Sequence, residues 1–202
     1  MITLDMLEKL AHSVVNQPWG CGDKQLAANP ESWAPYLRFL NGVAAMRNPD
    51  AIVECGVYMA TATIHMAVGS PTTFVVGVDR QFHAAAADNV FHYPNIWLVE
   101  GDTVEAAPNV GGLLAGRKIG LLFLDSTHDG DTPRREFEAY QPMFAKECVV
   151  ACDDLRGPRH LWEKMDKFWQ RLPAEKLELH FLHPRLNTSY DEPGFGVAIV
   201  RK

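Results

Sequence analysis

Acidic side chains recur just after apolar runs along this chain: Glu54, Asp79, Asp102, Asp125 and the pair Asp153-Asp154. A carboxylate in such a place has two chemical uses. It can accept paired hydrogen bonds from a vicinal diol or an exocyclic amine, or it can join others around a hard cation. The ordinary use of such an acid is to cap the next helix or start a turn, because its oxygens bond to free backbone amides. Either use fits any one of these residues. Repetition at successive strand ends favours a ligand site, since ligands of open α/β sheets collect where those ends converge. Gly56 lies two residues after Glu54, within Ile52–Thr63. A glycine there lets the backbone approach a ligand closely, which makes it the expected floor of a nucleotide-type pocket. His128 follows Asp125 by three residues, in a loop with Asp129, Gly130 and Asp131. An imidazole with an ordinary pKa near 6.5 suits proton transfer from a hydroxyl at neutral pH. It competes with a surface or structural role, because the chain has eight histidines. His160 as acid/base and Arg156 as an anion anchor are weaker candidates.

The elements that must position these groups follow from periodicity. Strand-like runs at Ala51–Cys55, Thr73–Val78, Ile96–Val99, Ile119–Leu124 and Glu147–Cys152 are separated by helix-compatible segments. These are Thr61–Val68, His83–Phe91, Val104–Ala115, Pro133–Phe144 and Pro158–Leu172. Apolar strands alternating with helices predict a parallel sheet covered on both faces. Leu177–Leu182 and Gly196–Arg201 have no room for a helix between them and should pair antiparallel. The expected fold is α/β: a Rossmann-like doubly wound sheet of five parallel strands plus a C-terminal antiparallel hairpin, in three α-β-α layers. Residues 1–49 are expected to form an N-terminal helical extension on a single domain spanning 1–202. Its helices are Asp5–Val15, with Met6, Leu7, Leu10, Val14 and Val15 near one face, and Ser32–Met46, with Trp33, Tyr36, Leu37, Leu40 and Val43 at helical spacing. Those aromatics read as core, with Trp19, Trp33 and Tyr36 as the alternative pocket lining. The charge run Asp129–Glu138 reads as a solvated loop and helix start.

Composition narrows the partners. An apolar fraction of 47% over 202 residues suits one sizeable core. A formal charge of −6 offers phosphate backbones no general attraction, so a small-molecule substrate is expected and nucleic acid is not. No secretion signal or stretch of roughly 20 apolar residues is visible, and a soluble, cytoplasmic protein without membrane partners is expected. Cys21, Cys55, Cys148 and Cys152 lack zinc-type spacing. Cys148 and Cys152 would lie about 13 Å apart on one strand, too far to bridge, so reduced thiols are expected. Aromatics in Met1–Asn48 and around Phe181–Tyr190 could shape a pocket or pack between subunits, which leaves a homo-oligomer open.

Taken in order, acidic-x-Gly at the first strand, Asp79 at the second, Gly101-Asp102 at the third, Leu124-Asp125-x-x-His128 at the fourth and Asp153-Asp154 at the fifth resemble class I S-adenosylmethionine-dependent methyltransferases. They are most similar to the small-molecule O-methyltransferase branch, which includes the catechol-type and the macrolide- and cephalosporin-biosynthesis enzymes. The resemblance covers about Ala51–Lys202. It implies S-adenosylmethionine as cofactor, with Glu54, Cys55, Gly56 and Tyr58 against its methionine part, Asp79 on the ribose hydroxyls, and Asp102 with Thr103 beside the adenine. Asp125 would face both cofactor and substrate. By the same resemblance, Asp125, Asp153 and Asp154 would bind magnesium or another divalent cation, a reasonable neutraliser for three carboxylates that otherwise raise one another's pKa. His128 and Asp125 would carry the acid/base and acceptor-facing roles of an O-methylation. The chain departs from the family at Ala60, where a second glycine is common. Two alternatives remain: a non-catalytic cofactor-binding or regulatory protein on the same fold, and an NAD(P)-dependent oxidoreductase. The second should carry Gly-x-Gly-x-x-Gly where this chain has one glycine.

Overall fold

The computed structural model describes residues 1–16, 35–127, 131–155, 159–181 and 194–202, with the backbone alone at 15, 16 and 159–164. Two helices come first, α1 (Leu4–Asn16) and α2 (Pro35–Arg47). The alternation then runs β1 (Ala51–Cys55), α3 (Thr61–Gly69), β2 (Phe74–Asp79), α4 (Ala86–Val90), β3 (Ile96–Glu100), α5 (Ala107–Leu114), β4 (Ile119–Leu124), α6 (Thr132–Tyr140) and β5 (Phe144–Cys152). It closes with α7 (Arg159–Arg171), β6 (Glu175–His180) and β7 (Gly194–Arg201). These form one sheet of seven strands in the order β3-β2-β1-β4-β5-β7-β6. The first five are parallel; β7 lies antiparallel between β5 and β6. The expected hairpin is therefore present, and its second strand is the one that joins the parallel sheet.

Every residue of β1 and β4 is buried, as parallel strands covered on both faces require. Side chains alternate between the layers. Val53, Cys55, Val76, Val78, Leu122 and Leu124 pack towards α5, α6 and α7. Ile52, Val75, Leu121, Phe123, Val149 and Ala151 pack on the other face with Leu7, Leu37, Leu40 and Val43 of the N-terminal helices. In α1 the buried stripe is Leu7 and Ala11, whereas Met6 is 38% exposed and so lies off the predicted face. Helix α6 stops at Tyr140 and a short 3-10 turn, Gln141–Met143, leads into β5, because Pro142 cannot continue the hydrogen-bond ladder. This makes β5 begin three residues before the predicted Glu147. Among the described residues no helix is long and apolar enough to cross a membrane. Cys55, Cys148 and Cys152 are buried free thiols; Cys21 lies outside the described residues.

Candidate active site

The register places Cys55 beside Val78 and Leu124, and Leu124 beside Cys152, so the loops after these strands share one rim. Strand order reverses where β4 lies on the far side of β1 from β2, and the crevice at such a switch point is where doubly wound sheets bind ligands. A cleft of about 310 Å³ opens there. Its walls include Glu54, Gly56 and Tyr58 after β1, Asp79 and Arg80 after β2, Thr103 after β3, Asp125 and Ser126 after β4, and Tyr36 from α2.

Gly56 has a φ of +89°, and a Cβ added to it would fall 2.1 Å from the Asp125 carbonyl oxygen. Its missing side chain therefore lets the β4 loop close against the β1 loop, which brings Asp125 to the cleft. Ala60, the departure from the family pattern, has a φ of 65° and is fully buried. The turn needs the left-handed conformation that glycine adopts without strain, and alanine holds it at a cost of roughly 1–2 kcal/mol.

Asp79 lines the cleft, and its carboxylate also organises the neighbouring loops. Oδ2 accepts the Val57 and Tyr58 amides at 2.7 and 2.9 Å, and Oδ1 accepts the Gln81 amide at 3.1 Å. An ionised carboxylate has about four acceptor positions, so beyond these three bonds about one remains for a ligand hydroxyl. Asp102 also accepts three hydrogen bonds. Its Oδ1 accepts the Val104 and Glu105 amides at 3.0 and 3.2 Å, and its Oδ2 meets Arg80 Nη2 at 2.9 Å. The Glu105 amide, Arg80 and the Val104 amide hold the carboxyl below the usual range. Asp102 is not among the described cleft walls; its partner Arg80 and its neighbour Thr103 are.

The Cys55 side chain does not line the cleft. Strand alternation turns its side chain away from Glu54, into the core beneath α5, α6 and α7, where burial pushes the thiol well above its ordinary pKa. It offers the rim only its carbonyl, which accepts the Asp125 amide at 2.8 Å. Glu54 faces the opposite layer, takes a short hydrogen bond from the Thr63 hydroxyl, and is only 1% exposed. Burial raises its pKa to about 8, opposed by the Thr63 bond.

Asp125 and Asp153 lie at adjacent strand ends and are partly exposed. Burial, the Asp153 charge and further acids including Glu54 and Asp154 push Asp125 upwards. Burial and then Asp154 push Asp153 the same way. Asp154 has a φ of 52° and its amide donates to Asp153 Oδ1 at 2.9 Å. Among the described residues no three His, Cys, Asp or Glu side chains are gathered tightly enough to hold a metal. The donor set nonetheless fits a hard cation in kind: oxygen ligands whose negative charges lie within range of one another.

His128 and Arg156 lie outside the described residues, and the side chain of His160 does too. Tyr36, left open between core and pocket, lines the cleft with its ring tilted on Phe195 at 5.8 Å. Its phenol is pushed upwards by burial first and then by Asp153, Asp125, Glu54 and Asp154, which places it at the acidic end. Glu136 is the residue that sequence reasoning missed. It belongs to the run expected to be solvated, yet it is 1% exposed and accepts hydrogen bonds from the Thr103 and Ser126 hydroxyls. The signal was the spacing Pro133, Glu136, Phe137, Tyr140, which is the buried face of α6.

A family model described as a methyltransferase domain matches residues 53–155, half of the chain. Among solved structures, the fold is similar to the O-methyltransferase TomG from Streptomyces achromogenes, involved in tomaymycin synthesis and in complex with SAM. That match has a TM-score of 0.66 and 16% identity over 97% of this chain and 89% of that one. A putative caffeoyl-CoA O-methyltransferase from Staphylococcus aureus gives 0.63 and 18% over 98% and 92%. An SAH-bound Podospora anserina methyltransferase gives 0.65 and 15% over 100% and 97%. A curated relative, a phosphoenolpyruvate carboxykinase (ATP) from Emericella nidulans, is 27% identical over 119 residues, 57% of this chain. The chain spans about a fifth of that protein's length, 20%. It contains no Gly-Lys dipeptide and hence no phosphate-binding P-loop. With the matched segment running from β1 through the Asp153-Asp154 pair, on a seven-stranded sheet of this order, the chain belongs to the methyltransferase-domain family and has the Rossmann-like fold of class I S-adenosylmethionine-dependent methyltransferases.

Proposed function

We propose that this protein transfers a methyl group from S-adenosylmethionine to an oxygen of a small-molecule acceptor. The observation that carries the reading is the cleft at the β1/β4 switch point, walled by Glu54, Gly56, Asp79 and Asp125. S-adenosylmethionine brings a methyl group already activated by its sulfonium, so the protein's work is alignment and charge management. The acceptor oxygen forms the new bond to carbon as the carbon–sulfur bond breaks; S-adenosylhomocysteine leaves, and the hydroxyl proton passes to a base. Glu54, Gly56 and Tyr58 are assigned to the methionine part, Asp79 to the ribose, and Thr103 to the adenine side. Asp102 acts there through Arg80 and the start of the next turn. Asp125 faces the reacting groups, with Tyr36 and Leu37 forming the acceptor wall from α2, and His128 is assigned as the proton acceptor.

A magnesium ion, where used, would be held by Asp125, Asp153 and Asp154 and would supply Lewis-acid polarisation of the acceptor hydroxyl. Without a cation, the raised pKa values of Asp125 and Asp153 make at least one of them a proton-carrying group near neutrality. The assignment of a small, non-nucleic-acid substrate rests on the size of the cleft and the acidic balance of the chain.

Titration calorimetry with S-adenosylmethionine and with NAD tests the reading before any acceptor is known. Binding of the first and not the second is expected, with at least about a tenfold loss in Asp79→Ala, which removes the loop amides' anchor together with the ribose contact. Binding of NAD alone would overturn it.

A further inference from the structure

The cleft is walled on one side by two loops from different parts of the chain, which meet on a single buried carboxylate. Thr103 follows β3 and Ser126 follows β4; both line the cleft, and both donate their hydroxyls to Glu136 Oε1. One helical turn further along α6, the Tyr140 hydroxyl donates to the Thr103 carbonyl at 2.8 Å. Thr103 is thus gripped at its side chain by Glu136 and at its backbone by Tyr140, two residues on the same helix face. Glu136 Oε2 is buried and has no hydrogen-bond partner among the described residues. A buried polar atom left unpaired is costly, and a leucine at this position would avoid that cost. What offsets it is the pair of hydroxyl bonds to two separate loops.

We infer that Glu136 is a positioning residue that fastens the β3 and β4 loops to α6 and so sets the width of the cofactor cleft. It touches no ligand itself. Burial raises its pKa to about 7, against the two hydroxyl bonds that lower it, so the group is costly to keep ionised at neutral pH. This inference rests on the cofactor reading above.

The test measures the dissociation constant of S-adenosylhomocysteine by calorimetry for the wild type, E136Q and E136L, with circular dichroism to establish folding. E136L removes both acceptors and is expected to weaken binding by about tenfold. E136Q keeps a carbonyl oxygen for the two hydroxyls and is expected to bind within about threefold of wild type. Rescue by the amide separates a hydrogen-bonded brace from mere filling of space. S126A should weaken binding in the wild type and have no further effect in E136L, because the hydroxyl acts through Glu136. Should E136L not fold, S126A and T103V carry the test, each removing one tie while leaving Glu136 in place. An E136L protein that binds like wild type, an E136Q protein as weak as E136L, or ties whose removal changes nothing would overturn the inference. A wild-type protein that takes up no S-adenosylhomocysteine would instead overturn the cofactor reading, and this inference with it.

Discussion

Glu54 is a carboxyl held where water would solvate it far better, and its pKa is raised from 4.5 to about 8, chiefly by burial. Below about 4.5 the folded and unfolded states both carry the proton. Between about 4.5 and 8 only the folded state does, so stability falls as pH rises through that window, and above it the full cost is on the order of 5 kcal/mol. Urea midpoints should therefore be higher at pH 5 than at pH 8, and Glu54→Gln, which keeps an acceptor for Thr63, should remove Glu54's share of that slope. Glu136, Asp125 and Asp153 shift in the same direction and leave a residual slope in the variant. A variant whose pH dependence matches the wild type would refute this assignment of charge. Glu54 and Asp79 were legible as strand-end acids. That Asp79 already holds three amides was not, because a carboxylate that caps and one that binds look alike until its neighbours are placed. Glu136 was read as solvated because its flanking charges masked the helical spacing of the buried face.

The β1–α3 turn concentrates the backbone demands of the cleft. Gly56→Ala would drive a methyl group into the Asp125–Ser126 backbone, where no side-chain rotation can relieve the clash. A loss of about 3 kcal/mol or more in unfolding free energy is expected, together with loss of S-adenosylhomocysteine binding. Ala60→Gly should be tolerated, changing stability by less than about 1 kcal/mol, since relief at a φ of 65° roughly balances glycine's added chain entropy. Denaturant titrations of the two variants check both statements. Beside the end of β5, β7 supplies Phe195, whose ring lies 5.8 Å from Tyr36, 5.9 Å from Phe39, 6.0 Å from Phe123 and 5.6 Å from Phe181. Phe195→Ala should cost about 3–5 kcal/mol in the same assay. The strands and helices themselves were readable from period and apolar runs; the helix limits moved because Pro142 and the loop-bound acids end or delay them.

Across the molecule, the sheet order brings the ends of β4 and β5 side by side, and with them Asp125, Asp153 and Asp154. If a cation completes this group, Asp154→Ala should abolish the magnesium dependence of methyl transfer while leaving S-adenosylhomocysteine affinity within about threefold of wild type. Turnover unchanged in chelator-treated wild type would remove the metal from the mechanism. Alternating apolar strands and helices were enough to specify a parallel, doubly covered sheet with an antiparallel close, because local periodicity records which side of each element is buried. The acids at the strand ends could likewise be found without coordinates, since they follow directly on those runs. Folding alone decided that Cys55 turns into the core, that Tyr36 from α2 joins the rim, and that Glu136 ties two cleft loops from below. Each of these depends on partners far away in the chain, and a one-dimensional pattern carries no record of which distant surface a side chain will meet.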